Sequence, residues 1–248
     1  MTTAESNYQD SYYLHTANSI KDRPQLTESI DADVCIIGGG YTGLLAALNL
    51  AEKNYRVVLL EANKIGWGAS GRNGGQIGSG HNKKIDQLEK DYGKSLARDL
   101  WNLSEHAKEI VKDRITDHQI NCDLRHGNMT VSNNPRDDAE HRRYVEKLNK
   151  DYDYDSIRYV DQEEVYDIFH SPFFKGGGSM DVGGMHLHPL NYALGLADAA
   201  ERQGVEIYEN SRVLNYSKGS ISQATTDHGK VRAKMVVLAC NAYIEKLE

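Results

Sequence analysis

The sequence predicts an α/β fold, in which a Rossmann-like nucleotide-binding domain is interrupted by an α+β region of roughly one hundred residues. An apolar, β-branched run at 33–37 is typical of a parallel strand that is covered on both faces. A glycine-rich turn and a segment rich in alanine and leucine follow, and they predict a helix over 44–51. A second apolar run at 56–60 completes the strand-helix-strand unit on which such domains are built.

Three glycines stand between the first strand and the helix, in the spacing G-x-G-x-x-G. Gly38 permits a tight turn, Gly40 lets the backbone approach a pyrophosphate, and Gly43 lets the helix pack closely on the strand. The anion would lie at the helix N-terminus, where free N–H groups and the helix dipole favour negative charge. Glu61 follows the second strand, where a carboxylate can accept hydrogen bonds from ribose hydroxyls. The unit therefore predicts a dinucleotide site.

Composition and charge exclude several classes of protein. The net charge of −7 argues against a nucleic-acid partner or an anionic membrane surface, since either would require a concentrated basic patch. The longest apolar runs have the length of strands, so no membrane span is predicted. The N-terminus lacks the apolar core of a signal peptide. Cys35, Cys122 and Cys240 are odd in number and far apart, which predicts a reducing compartment, the cytoplasm.

The chain is predicted to fall into four segments. An N-terminal arm covers 1–29, and the nucleotide-binding domain covers 30–122 and 186–248. Between these two parts, 123–185 is predicted to form a partial substrate domain of the α+β type.

Hydrophobic periodicity predicts the elements that follow the first unit. An amphipathic pattern predicts a helix over 85–111, whose charged face we expect to be solvated. Further helices are predicted at 135–149, 162–169 and 189–200, and strands at 127–132, 205–208, 212–216, 221–225, 231–233 and 235–239.

Two segments contain residue types that bind metals. The acidic run at 151–155 lacks the ligand spacing of a hard-cation loop, and we interpret it as a solvated turn. His186 and His188 would point the same way on an extended segment, but no third ligand accompanies them at a recognised spacing. No metal site is predicted, and His186 is left as either a substrate contact or a hydrogen-bonded structural residue.

A glycine-dense loop at 66–76 indicates the kind of dinucleotide. In a simple NAD dehydrogenase, the second strand is followed by another helix and a third parallel strand. Here the second strand leads instead into a loop whose backbone can lie against a planar or anionic ligand. This difference favours FAD over NAD.

Several motifs, spread over nearly the whole chain, resemble those of a known family. The most diagnostic is the glycine loop itself, with the sequence GASGRNGGQ at 68–76. The chain resembles the FAD-dependent amine and amino-acid oxidoreductases, a family that includes D-amino-acid, glycine and sarcosine oxidases, and within it members that act on γ-glutamylated putrescine. The resemblance implies an FAD-binding domain of the glutathione-reductase type. The other matching stretches are 11–13, 16–18, 33–43, 65–67, 186–190 and 239–243.

The resemblance also implies which residues contact FAD. Glu61 would hold the adenosine ribose, and Val213 would meet the adenine. Asn241 would make a further contact near a strand end, at a position where relatives often carry glycine. Arg72 would either offset negative charge on the cofactor or brace its loop, and no catalytic base is identified. The pyrophosphate would lie against Gly38, Gly40 and Gly43, and the path to the flavin ring would follow Ser70, Arg72, Asn73, Gly74, Gly75 and Gln76.

The implied reaction is the oxidation of an amine C–N bond by hydride transfer to the flavin, giving an aldehyde, ammonia and hydrogen peroxide. The implied partners are a small amine and molecular oxygen or another electron acceptor. Two alternatives are a non-catalytic dinucleotide-binding module and an NAD-dependent dehydrogenase. Family members continue well beyond residue 248, so we expect an N-terminal portion that lacks the C-terminal half of the family fold and has little turnover alone.

Overall fold

The computed structural model describes residues 8–244, and we number its elements in chain order. The helices are α1 (Tyr12–His15), α2 (Tyr41–Ala51), α3 (Ile85–Asp117), α4 (Asp138–Tyr152), α5 (Gln162–Phe169) and α6 (Pro189–Arg202). The strands are β1 (Ser29–Ile37), β2 (Val57–Leu60), β3 (Gln76–Ile77), β4 (Arg125–Val131), β5 (Ile157–Val160), β6 (Gly178–His186), β7 (Glu206–Tyr208), β8 (Asn215–Ser217), β9 (Ser222–Thr225) and β10 (Lys230–Leu238).

The described residues form two compact units. The first contains 8–74, 115–122 and 188–244, and the second contains 75–114 and 123–187. Each unit has its own sheet.

The first unit is built on a six-stranded sheet with the order β7-β2-β1-β10-β9-β8. Strands β7, β2, β1 and β10 are parallel, whereas β9 and β8 continue the sheet in antiparallel fashion. The carboxyl half of β1 and the whole of β2 are buried, as parallel strands covered on both faces require. Helix α2 leads from β1 to β2 and packs against α6. The α/β fold class predicted from the sequence is confirmed.

The second unit has a smaller antiparallel sheet in which β6 lies between β4 on one side and β3 and β5 on the other. Its core contains more aromatic residues than that of the first sheet. Trp101 of α3 packs edge-on against Tyr152 and Tyr154, with ring centroids 5.6 and 5.1 Å away. These two tyrosines belong to the acidic run that we interpreted as a solvated turn, and their side chains are buried.

The compact units divide the chain at different residues from the predicted domains. Residues 75–114 were assigned to the nucleotide-binding domain, but they lie in the second unit. The reason is tertiary, since β3 pairs with β6, and Trp101 of α3 completes the core around Tyr152. Sequence periodicity carries no information about either pairing.

The strand β6 was not predicted, because its glycines disfavour a strand on propensity alone. The two strands predicted at 231–233 and 235–239 are one strand, β10, which pairs with β1 along its length. The strand predicted at 212–216 begins only at Asn215.

The predicted apolar stripe of α3 is only partly buried. Gly93 has φ 80° and ψ 160°, so it interrupts the helix and changes which residues face the core. Leu96 and Leu103 are exposed, whereas Trp101 and Lys108 are buried. The charged face is therefore not wholly solvated, because Lys108 Nζ donates to Ser79 Oγ at 2.6 Å.

The described part of the predicted N-terminal arm is packed on the first unit rather than extended from it. Helix α1 lies beside α6, and further along the arm Arg23 and Leu26 are buried. Residues 1–7 of the predicted arm lie outside the described residues. Within 8–244, no helix combines the length and the apolar character that a bilayer crossing requires.

Candidate cofactor-binding site

A cavity of about 650 Å³ lies in the first unit, at the edge of the sheet where β1, β2 and β10 end. The carboxyl ends of parallel strands are the usual position of ligand sites in α/β folds, and this volume lies within the range of cofactor pockets. The lining residues come from 37–42, 60–63, 67–70, 212–214, 239–241 and 243–244.

The turn after β1 is fixed on both sides by backbone hydrogen bonds. Gly38 N donates to the carbonyl of Leu60 at 2.8 Å, and Ala239 N donates to the carbonyl of Ile37 at 2.8 Å. Gly38 has φ 114°, and a Cβ there would lie 2.6 Å from the carbonyl oxygen of Ala239. Glycine is therefore required at this position, as the spacing predicts.

The N-terminus of α2 faces the cavity. Gly40 precedes the helix, and Tyr41 N donates to Ser70 Oγ at 3.0 Å. Gly40 and Ser70 both line the cavity, so their backbone and hydroxyl groups are available to a ligand. Gly43 does not line it, because this glycine packs against the carbonyl of Gly38 behind the cavity. Free N–H groups and the helix dipole suit this end of the cavity to an anion.

Glu61 lines the cavity and also fixes the glycine turn. Its Oε2 accepts a hydrogen bond from Gly39 N at 2.6 Å, and its Oε1 accepts one from Asn63 N at 2.9 Å. Burial raises the pKa of Glu61, and the two amide donors act in the opposite direction. Each carboxylate oxygen can accept a second hydrogen bond, which leaves capacity for the hydroxyls of a ribose.

The segment after β7 forms another wall of the cavity. Val213 is buried and lines the cavity together with the exposed Arg212 and Leu214. Ser211 N donates to the carbonyl of Glu61 at 2.8 Å, which holds this wall beside the acid. The predicted strand at 212–216 was wrong at its start because residues 212–214 are irregular and face the cavity.

The side chains of Arg72 and Asn73 brace the glycine loop and do not line the cavity. The Arg72 guanidinium lies 5.2 Å from the centre of the Trp67 ring, and its Nε donates to the carbonyl of Gly68 at 3.3 Å. Asn73 Nδ2 donates to the carbonyls of Ser70 and Ala69 at 2.9 and 3.1 Å. Of the two roles left open for Arg72, these contacts favour bracing.

Three further predicted contacts lie outside this cavity. Gly74 is exposed in the first unit and is not a lining residue. Gly75 and Gln76 belong to the second unit, where Gln76 begins β3 and pairs with His186.

The residues that follow β10 form a further wall of the cavity. Asn241 lines the cavity with φ 50°, a left-handed conformation that asparagine tolerates better than most residues with a side chain. Its Oδ1 accepts a hydrogen bond from Ala242 N at 2.8 Å. Cys240 also lines the cavity, and burial raises the pKa of its thiol.

Three aromatic residues line the cavity without having been predicted as site residues, namely Tyr41, Trp67 and Tyr243. Trp67 and Tyr243 both line the cavity, with ring centroids 6.1 Å apart in an edge-to-face arrangement. Both stand inside motifs that carried the family resemblance, and for Trp67 the position of an aromatic residue within the glycine loop was the available signal.

The two histidines considered as metal ligands have different surroundings. His188 Nδ1 accepts a hydrogen bond from Asn191 N at 3.1 Å, and its Nε2 lies 3.0 Å from Thr16 Oγ1. It therefore caps α6 and anchors the arm. His186 is exposed on β6 in the second unit. Residues 8–244 contain no group of three or more His, Cys, Asp or Glu side chains suited to a metal ion.

Comparison with known proteins agrees with the character of this cavity. Residues 33–248 match the family model DAO, described as FAD dependent oxidoreductase. The chain is 39% identical, over 98% of its length, to the gamma-glutamylputrescine oxidoreductase of Escherichia coli K12, and it covers 57% of that relative. It is 38% identical, over 96% of its length, to the probable oxidoreductase OrdL of Haemophilus influenzae, and it covers 55% of that protein. The chain thus spans little more than half the length of these relatives.

Solved structures share the fold at lower identity. Glycine oxidase from Geobacillus kaustophilus matches with a TM-score of 0.68 and 20% identity, over 86% of this chain and 56% of that one. L-amino acid deaminase from Proteus myxofaciens matches with a TM-score of 0.71 and 21% identity, over 92% of this chain and 49% of that one. The family match, the glycine turn and the acid beside it agree: the chain belongs to the DAO family of FAD-dependent oxidoreductases.

Proposed function

We propose that the chain binds FAD in this cavity and forms part of an enzyme that oxidises the C–N bond of an amine. The observation that carries the proposal is the convergence of the glycine turn, the N-terminus of α2 and the Glu61 carboxylate on one cavity. The backbone from Gly38 to Gly40 would hold the pyrophosphate, and Glu61 would accept hydrogen bonds from the ribose. Val213 would pack against the adenine.

Bound FAD would supply the redox chemistry, because its flavin can accept a hydride from the carbon that bears a neutral amine. The residues of this chain would bind and orient the cofactor. Loss of the hydride and of one N–H proton turns the amine into an imine, and water then releases an aldehyde and ammonia. Molecular oxygen, as the electron acceptor, would become hydrogen peroxide.

The relative from Escherichia coli supports a substrate class. Its name specifies γ-glutamylputrescine, and its similarity extends over 98% of this chain. We therefore propose a primary amine at the end of a γ-glutamylated diamine as the substrate.

An absorption spectrum of the purified protein tests cofactor binding. We expect flavin bands near ~450 nm, since the isoalloxazine ring is the chromophore. Gly40→Val should fold but carry no flavin, because Gly40 lines the cavity and the new side chain would occupy the space that the pyrophosphate needs. The atom nearest to the new Cβ is the end of a side chain, Ser70 Oγ at 2.9 Å, so the backbone need not move. Gly78→Val is the matched control, since no atom lies within 4 Å of a Cβ at Gly78. Protein that neither retains FAD nor binds added FAD would refute the proposal.

Anaerobic mixing tests the substrate class separately. The chain alone is expected to have little turnover, so this test uses the chain extended by the C-terminal part of the Escherichia coli relative. This extended protein, loaded with FAD and mixed with γ-glutamylputrescine, should lose its flavin absorbance as the flavin is reduced, and admission of air should restore the absorbance with release of peroxide. Free putrescine and glycine serve as comparison substrates. Reduction by glycine but not by γ-glutamylputrescine would contradict the proposed substrate, and flavin binding without reduction by any amine would favour a non-catalytic module.

A further inference from the structure

A buried carboxylate lies outside the cavity but beside two of its walls. Glu209 follows β7, and its side chain is 1% exposed. It is not a lining residue, so a bound cofactor would not touch it. Three separate parts of the chain meet at this one carboxylate.

The first two parts are the loop after β2 and the segment after β7. Glu209 Oε1 accepts a hydrogen bond from Ile65 N at 3.0 Å, and Oε2 lies 3.0 Å from Lys64 Nζ. Lys64 is itself buried, with a side chain that is 3% exposed. Because β2 and β7 are neighbouring parallel strands, the segments that follow them leave the sheet side by side.

The third part is the N-terminal arm. Arg23, with a side chain that is 1% exposed, has its Nη1 atom 3.7 Å from Glu209 Oε1. Glu209 N donates to the carbonyl of Pro24 at 3.0 Å, and Leu26 N donates to Ser211 Oγ at 2.9 Å. The arm therefore holds the segment after β7 in place.

The arm also reaches the loop directly. Tyr8 OH donates to the carbonyl of Ile65 at 2.7 Å. Burial and the nearby Glu209 carboxylate both raise the pKa of Tyr8, so the hydroxyl stays protonated and remains a donor.

Short backbone links connect this cluster to the cavity walls. Asn210 N donates to the carbonyl of Asn63 at 2.9 Å, and Ser211 N donates to the carbonyl of Glu61 at 2.8 Å. Glu61 and Asn63 line the cavity on one side of these bonds, and Val213 lines it two residues beyond Ser211. A displacement of Glu209 would therefore change the spacing between Glu61 and Val213.

A purely apolar contact would serve stability as well, because replacing a buried ion pair with apolar residues is often neutral or stabilising. The charges here instead have specific partners. Arg23 Nη2 donates to Asp198 Oδ1 at 2.8 Å, and Lys64 Nζ donates to Asp22 Oδ1 at 2.9 Å. Such a network fixes the positions of the arm, the loop after β2 and the segment after β7 relative to one another. Apolar packing would fix these positions less specifically.

We propose that Glu209 is a positioning residue for the adenosine half of FAD, and that the N-terminal arm is part of the cofactor site through it. The proposal rests on the proposed binding of FAD in this cavity. It concerns the walls that would hold ribose and adenine, and it assigns Glu209 no contact with the cofactor.

Calorimetric titration of the apoprotein with FAD and with ADP tests this assignment. Glu209→Gln keeps the shape of the side chain and an acceptor for Ile65 N, but removes the charge that pairs with Lys64 and Arg23. We expect the affinities for FAD and for ADP to fall by the same factor, roughly tenfold or more, since hydrogen-bonded charges are lost beneath the adenosine walls. If both affinities fall by the same factor, the substitution affects the binding of the part that FAD and ADP have in common, the adenosine diphosphate.

Glu206→Gln is the matched control. Glu206 lies on β7 and pairs with Arg56 at 3.1 Å, but both side chains are solvent-accessible. We expect both affinities to stay within about twofold of the parent, because accessible ion pairs contribute little. Tyr8→Phe removes only the hydroxyl that bonds to Ile65 and should weaken ADP binding by a smaller factor than Glu209→Gln, which tests the arm.

The outcomes separate the proposals. A folded Glu209→Gln variant that binds ADP and FAD as the parent does would overturn the positioning role, even if its unfolding midpoint were lower, because a merely structural role moves only stability. Parent protein that binds neither ligand would overturn the proposed function and this inference together. If Glu209→Gln alone does not fold, the double variant with Lys64→Met and Glu209→Gln is titrated in the same way, because it removes one charge of each sign.

Discussion

The two glycine-rich segments of the first unit differ in what holds them. The turn at 38–43 is fixed by the backbone hydrogen bond from Gly38 N to the carbonyl of Leu60 and by the approach of Gly43 to the carbonyl of Gly38. The loop at 66–74 has backbone hydrogen bonds as well, but its last residues are also held by side chains, since Arg72 and Asn73 bond to carbonyls four residues earlier. At Gly38 and Gly43 the turn therefore depends on the absence of a side chain, whereas the end of the loop at 72–73 depends on side chains that are present.

This difference has an energetic consequence. A side chain added at Gly38 or Gly43 must move a strand or a helix, because the nearest atoms there are backbone. A side chain removed from the loop costs only its own exposed contacts. The two segments should therefore respond very differently to single substitutions.

The largest effect is expected for Gly43→Ala, which would break the packing of the turn. The new Cβ would overlap the carbonyl oxygen of Gly38, so α2 would have to move away from β1. We expect a loss of about 2 to 3 kcal/mol in the free energy of unfolding, the upper range for overpacking. Urea denaturation measures it. Gly78→Ala, with open space around its Cβ, is the control, and equal stabilities of the two variants would show that the close approach of Gly43 to Gly38 does not require glycine.

The next effect concerns Glu61, which joins the turn to the cavity. We expect Glu61→Gln to weaken FAD binding by about 1 to 3 kcal/mol, because hydrogen bonds to a charged group are lost. Titration of apoprotein with FAD measures this change, and an affinity equal to that of the parent would remove Glu61 from the ribose site.

The pH dependence of FAD binding provides a second test of the role of Glu61. Burial raises the pKa of Glu61 above its ordinary value of 4.5. The ionised carboxylate is the better acceptor for ribose hydroxyls, so the affinity of the parent should fall as pH drops through this raised pKa. Glu61→Gln has no ionisable group there and should lack that part of the pH profile. A profile shared by both proteins would contradict the assignment.

A smaller effect is expected where the loop meets the turn. Ser70→Ala removes the acceptor for Tyr41 N at the start of α2. We expect a loss of about 1 kcal/mol in the free energy of unfolding, similar to the loss of a helix cap. Ser70→Thr keeps the hydroxyl and should stay close to the parent in the same denaturation experiment. If the alanine variant matched the threonine variant, this hydrogen bond would not contribute.

The smallest effect is expected for Arg72→Gln, in the exposed part of the loop. The stacking of the guanidinium on Trp67 is lost, which should cost about 0.5 to 1 kcal/mol of stability at an exposed site. Because Arg72 does not line the cavity, the salt dependence of FAD affinity should be unchanged. A weaker salt dependence in the variant would instead assign Arg72 to the negative charge of the cofactor.

Prediction from sequence succeeded where the requirement is local. Gly38 and Gly43 were identified with their physical roles, since a left-handed φ and a close helix-strand approach leave a signature in residue type and spacing. The helix at 162–169 was placed at its observed bounds for the same reason, because periodicity within one element suffices. In contrast, β6 was missed, because its glycines are acceptable in a strand only where the neighbouring strands β3, β4 and β5 pair with it.

The sequence by itself determined the fold class, the family and the glycine turn with its acid, because each depends on residues close together in the chain. Only the tertiary structure decided that Arg23, Lys64 and Glu209 share one buried cluster. It also brought Trp67 and Tyr243 to one cavity and placed 75–114 in the second unit. These associations follow from the order of strands in each sheet. Residues far apart in the chain come together there only because β7 lies beside β2 and β10 beside β1.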